Sequence, residues 1–152
     1  DKETAIRKNM MLHTMMLFQS GIPVLYSGDE IGQKNDWEYK LDPNKIQDSR
    51  YLHRGAMPWD LAENVEKPET AEAQIFHGLA KLEKLRKEKK VFSAAADFWT
   101  FDTGSDAVLG LGRWYEGEGV LGLFNFADTD KSVALEHKTV TVPAGDYLWI
   151  DI

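Results

Sequence analysis

The chain contains no cysteine, which excludes a disulfide framework, a thiolate nucleophile and a thiolate metal site, and leaves the redox compartment open. It also lacks any excess of positive charge: 18 Lys and Arg stand against 25 Asp and Glu, for a formal net charge of -7 at pH 7. A phosphate backbone is bound by clustered basic side chains on an exposed face, so no nucleic-acid partner is expected. Uninterrupted apolar runs are missing too. The stretch from Met10 to Tyr26 is broken by His13, Gln19, Gly21 and Pro23, a pattern of buried helix then strand rather than of a membrane span. His13, His53, His77 and His137 have no metal-ligand spacing, and there is neither a G-x-S-x-G nor a phosphate-cradling glycine loop, so no metal and no cofactor are expected. The chain has no initiating Met and opens inside a helical pattern, as a fragment would.

What is present suits an ordinary soluble chain of one domain or one and a half: 152 residues, 43% hydrophobic and 28% charged. Its organising stretch is Gly21 to Gly32, G-I-P-V-L-Y-S-G-D-E-I-G. A turn signal is followed by five apolar residues that fit a strand buried on both faces, and then by Asp29 and Glu30 between glycines. Ahead of it, residues 4 to 19 read as a core helix. Ile6, Met10, His13 and Leu17 share one face, Met11, Leu12, Met15, Met16 and Phe18 make the rest apolar, and His13 is expected to be a hydrogen-bonded core residue. After it, Gln33 to Pro68 forms a long polar and aromatic loop, beyond the usual connection length and hence a place for function. Trp37, Tyr39, Tyr51, Leu52, Met57 and Trp59 give this loop apolar surface to bury, and Asp42 with Asn44, Asp48-Ser49-Arg50 and His53 with Arg54 are groups a polar substrate could use.

A second helix is expected from about Thr70 to Lys89, with Ile75, Leu79, Leu82 and Arg86 at helical spacing. Glu69 and Glu72 begin it, and the bases from Lys84 to Lys90 complement the dipole at its end, so they need no nucleic acid to explain them. Beyond Val91 the pattern changes to short β-type runs: Phe98 to Asp102, Ala107 to Tyr115, Gly119 to Phe126, Ser132 to Glu136, Thr139 to Val142 and Tyr147 to Ile152. The chain thus divides near residue 92 into an α/β part and an antiparallel all-β part.

Asp29 and Glu30 invite a glycosidase reading, but neighbours on an extended chain point to opposite sides. A retaining pair holds its carboxyl groups about 5 to 5.5 Å apart across the scissile bond, which disfavours these two as that pair.

The core helix followed by G-I-P-V-L-Y-S-G-D-E-I-G resembles the seventh helix, eighth strand and following loop of the α-amylase superfamily, glycoside hydrolase family 13. Asn35-Asp36, Asp42-Pro43 and above all Asp48-Ser49-Arg50-Tyr51-Leu52-His53-Arg54 resemble the amylosucrase branch, while Met57-Pro58-Trp59-Asp60 is closer to the wider amylase and oligosaccharide-hydrolase pattern. The resemblance implies that residues 1–92 close a TIM (β/α)8 barrel and that 93–152 form a small antiparallel β-sandwich domain, cut short. It implies a retaining reaction on an α-glucosidic bond, with the catalytic acids upstream of Asp1 and none in this chain. It further implies that Arg50, with Arg54 as the alternative and His53 beside them, serves the pocket for the glucosyl ring, and that Asp29 and Glu30 shape the barrel rim. Sucrose or an α-glucan is the implied substrate and the upstream barrel the implied partner. An α-amylase or oligo-α-glucosidase, and a non-catalytic carbohydrate-binding or structural module using Trp99, Trp114, Tyr115 and Trp149, stay open.

Overall fold

The computed structural model describes residues 1–152. It contains helices α1 (Lys2–Phe18), α2 (Trp59–Ala62) and α3 (Ala71–Glu88), and strands β1 (Asp97–Phe101), β2 (Val108–Tyr115), β3 (Glu118–Asn125), β4 (Lys131–Leu135), β5 (Lys138–Val142) and β6 (Tyr147–Asp151). Packing divides the chain into two compact units, one made of residues 1–24 with 77–152 and the other of 25–76. No helix is long and apolar enough to cross a membrane.

The first unit is built on an antiparallel sheet in the order β1-β2-β3-β6. Strict alternation puts Leu111, Val120, Phe124 and Trp149 on one face, where Met11 and Phe18 of α1 and the turn residues Val91 and Phe92 cover them. Val108 and Leu123 point to the other face, against Val133 and Val142 of the β4–β5 hairpin. Phe18 is the centre of the first layer. It has no exposed surface and meets Phe92, Phe124 and Trp149 edge-on at 5.8, 6.0 and 5.5 Å between ring centres. Its ring lies so close to β3 that a Cβ at Gly122 would stand 2.9 Å from it, so glycine is what lets helix and sheet meet here. Thr14 is fully buried on the same helix and its hydroxyl donates to the Met10 carbonyl at 2.7 Å. His13 has Nδ1 3.0 Å from the Asn9 carbonyl oxygen, the local partner expected, but it is only part-buried rather than in the core.

The C-terminus of α1 has no base in its own last turn. Two distant arginines supply the charge. Arg86, on α3, donates Nη1 to the carbonyl of Leu17 and Nη2 to that of Gly21 at 2.9 Å. Arg113, on β2, has no exposed surface and donates Nε to Val91 O at 2.8 Å, Nη1 to Phe18 O at 3.1 Å and Nη2 to Ser93 O at 3.0 Å. Neither meets a carboxylate in these bonds; carbonyl dipoles and the helix end take that role. Burial, and then the like charge of Arg86, lowers the Arg113 pKa from its ordinary value. The sequence pattern assigned Arg86 to the dipole of its own helix, whereas its guanidinium serves the end of another.

Two further expectations are corrected. Residues 22–26 carry no strand pairing, and Ile22 is 92% exposed and Val24 77%, because a strand buried on both faces needs neighbouring strands and none of β1 to β6 runs beside it. The long loop is ordered by short helical turns rather than by burying its aromatics: of those named above only Tyr39 is buried, and Trp37 and Trp59 are 60% and 73% exposed. Among the sheet aromatics Trp149 lies in the core, while Trp99 and Trp114 stand half-exposed on the opposite face.

Candidate functional site

Where the 22–26 segment ends, a tight turn begins. Gly28 adopts φ 96°, and a Cβ there would meet the Gln33 side chain at 2.1 Å, so only glycine fits. Asp29 and Glu30 fold this turn: Asp29 Oδ2 accepts from the Tyr26 amide at 3.1 Å and Glu30 Oε2 from the Gly28 amide at 2.8 Å. Gln33 N then donates to Gly28 O at 2.9 Å.

The loop beyond doubles back on itself. Gln33 Nε2 donates to Ala56 O at 2.9 Å, the Asp36 amide to Leu52 O at 2.8 Å, and Asn35 Oδ1 lies 3.1 Å from His53 Nδ1. Residues 33–36 are thereby clasped to 52–56. The 3-10 turn Ser49–His53 is started by Asp48, whose Oδ1 accepts from the Arg50 amide at 3.0 Å.

These connections border an open cavity of about 380 Å³, within the range of small-ligand sites. Tyr26 and Asp29 line it from the 26–33 turn, Lys34 and Asn35 from the first arm of the loop, and Arg50, His53 and Arg54 from the second. Four of the five residues singled out from the sequence therefore border one space; Glu30 does not. Lys34 and Asn35 were not singled out, although Asn35 belongs to the quoted Asn35-Asp36 pair. Asp42 borders nothing here and instead accepts from the Asn44 amide at 2.9 Å. That bond, more than neighbouring Lys45, lowers its pKa.

Arg50 is 70% exposed at its side chain and forms a bidentate pair with Asp48, Nη2 to Oδ2 at 2.7 Å and Nε to Oδ1 at 2.8 Å. The hydrogen bonds from Arg50, side chain first and backbone second, pull the Asp48 pKa down to about 2, and the Arg50 pKa is raised in return. The cavity thus offers cationic and neutral donors to a polar guest and a single lining carboxylate, that of Asp29. One acid is too few for glycoside cleavage by a carboxylate pair. No group of three His, Cys, Asp or Glu side chains is arranged to hold a metal ion.

No family model matches the chain. Solved structures do resemble it. The maltogenic amylase of S. marinus superposes with a TM-score of 0.67 at 22% identity, over 95% of this chain and 19% of that one. The trehalose-6-phosphate hydrolase of Bacillus licheniformis does so with 0.70 at 17% identity, over 99% and 40%. The trehalulose synthase of Pseudomonas mesoacidophila MX-45 gives 0.57 at 15% identity, over 95% and 36%. The chain spans between about a fifth and two fifths of the length of these proteins. The fold is accordingly of the class expected, the closing helical part of a (β/α)8 barrel followed by a small antiparallel β-sandwich, although the 22–26 segment pairs with no strand here.

Proposed function

We propose that the chain is the C-terminal part of a retaining enzyme that acts on α-glucosidic bonds, with sucrose as donor for glucosyl transfer or hydrolysis. In this reading residues 1–92 complete the catalytic barrel, 93–152 form the domain that follows it, and the catalytic acids lie outside this chain. The observation that carries the reading is the cavity at the end of the 22–26 segment, bordered by Arg50, His53 and Arg54 of the amylosucrase-like motif. Arg50 would close the floor of a dead-end slot for the glucosyl ring, with Arg54 the alternative. Asp29 and Glu30 hold the rim turn and touch the sugar only indirectly.

The test is kinetic. In the full-length protein, Arg50→Ala is expected to lower kcat/KM for sucrose about 10²- to 10³-fold, the scale of removing one well-placed donor from a charged transition state. Near-normal kinetics would sink the assignment of Arg50, and a sequence upstream of Asp1 without barrel acids would sink the class. The 152-residue chain by itself is expected to be silent.

A second reading, an α-amylase or oligo-α-glucosidase, is favoured by the fold likeness to a maltogenic amylase and by Met57-Pro58-Trp59-Asp60. Starch cleavage without sucrose turnover by the full-length protein would decide for it. Saturable binding of maltooligosaccharides by the isolated chain would instead support a carbohydrate-binding module, with Trp99 and Trp114 as the exposed rings that could stack on sugar.

A further inference from the structure

Arg50 is not presented to the cavity as a loose cation. Asp48, two residues earlier, holds it side-on: Nε lies 2.8 Å from Oδ1 and 3.1 Å from Oδ2, and Nη2 lies 2.7 Å from Oδ2. The same carboxylate accepts from the Arg50 amide at 3.0 Å. One side chain therefore fixes both the backbone that carries Arg50 and the plane of its guanidinium. A guanidinium is a rigid fork with two usable edges. Asp48 takes the edge formed by Nε and Nη2, and Nη1 makes none of these bonds. The edge left for a guest is the one between Nη1 and Nη2. No comparable carboxylate clamp holds Arg54, although it borders the same cavity.

We propose that Asp48 is a positioning residue of this site: it sets Arg50 so that the Nη1–Nη2 edge is offered to the glucosyl ring, or to a carboxylate beside that ring. The proposal rests on the reading of Arg50 as the slot residue. A long, exposed side chain ordinarily loses its rotamer freedom when a ligand binds. Asp48 imposes that order beforehand, through a turn that needs no help from other parts of the chain. It also explains how so exposed an arginine can act with geometric precision, since a displacement of about 1 Å in such a group can cost about a hundredfold in rate.

Asp48→Asn separates the two tasks of the carboxylate. The amide oxygen can still cap the Arg50 amide, while the charge and the second acceptor are gone. In the 152-residue chain, nitrogen-detected NMR should find Arg50 Nε–H exchange with solvent at least about tenfold faster in Asp48→Asn, with the other main-chain amide resonances in place. In the full-length protein the same substitution should lower kcat/KM for sucrose about ten- to hundredfold. Added to Arg50→Ala it should cost nothing more, because the two residues act as one unit. Unchanged Nε–H exchange, or full additivity with Arg50→Ala, overturns the positioning role even if Arg50→Ala abolishes turnover. If exchange responds to Asp48→Asn while Arg50→Ala leaves turnover intact, the slot reading of Arg50 is what fails, and the role of Asp48 falls with it.

Discussion

Arg113 and Arg50 carry the same side chain in opposite settings. Arg113 is wholly buried under the sheet, bound to the carbonyls of Val91, Phe18 and Ser93. Arg50 is largely exposed in the loop, bound to a carboxylate two residues away. A buried cation must replace its lost hydration with fixed dipoles, so its bonds reach across the fold and hold distant segments together. An exposed cation keeps most of its hydration, so its ion pair adds little to stability and is free to be organised around a ligand. In the proposed reading the sheet unit is built to persist and the loop to bind.

The difference can be broken from its strongest side first. Arg113→Ala leaves three carbonyl oxygens without their donor at roughly 1–3 kcal/mol each, and should lower unfolding free energy in urea by about 5 kcal/mol. If the loss is below about 2 kcal/mol, water has replaced the guanidinium and the contrast fails. Phe18→Ala, at the centre of the same layer, should cost about 3–5 kcal/mol by the same measurement. Gly122→Ala pushes a methyl into the Phe18 ring and should cost about 1–3 kcal/mol, and is expected to lose most of that penalty in a Phe18→Leu background. Arg50→Ala is expected at the bottom of the scale, within about 0.5 kcal/mol of the parent.

A titration sharpens the exposed half. The Asp48 carboxyl titrates at about 2 in the folded chain, below its ordinary 3.8. Because the folded value is the lower one, any stability the pair contributes is fully present above the ordinary value. It fades as pH falls through about 2. Carboxyl NMR should find that midpoint in the parent and a return toward 3.8 in Arg50→Ala; an ordinary midpoint in both would mean that the pair does not persist in solution.

The sheet was legible in the sequence almost residue by residue. Gly119 to Phe126 was expected and Glu118–Asn125 observed, because alternation and turn glycines are local signals that tertiary packing here reinforces. The 22–26 segment was legible only in type. Its composition suits a strand between strands, but pairing is a property of neighbours and no neighbour exists among these residues. Arg113 gave no signal at all, since it sits at an inward position of a strand where alternation predicts an apolar side chain, and its partners are carbonyls from segments 20 and more residues away. The cavity lies between these cases. Arg50, His53 and Arg54 stood out as polar groups of the long loop and took a specific role only through motif resemblance, whereas the Asp48 clamp, a short-range contact within the quoted Asp48-Ser49-Arg50, could have been anticipated from Asx-turn chemistry.

The two arginines at the end of α1 also set an order in time. The carbonyls of Leu17 and Phe18 wait for donors that lie 69 and 95 residues further along the chain. At a synthesis rate of about 5–20 residues per second, the end of this helix and the segment it launches remain without one or both of those donors for roughly 3–20 s after they are made. During that interval Phe18 has no sheet to cover it, so the β-domain acts as the late fastener of a helix made long before it.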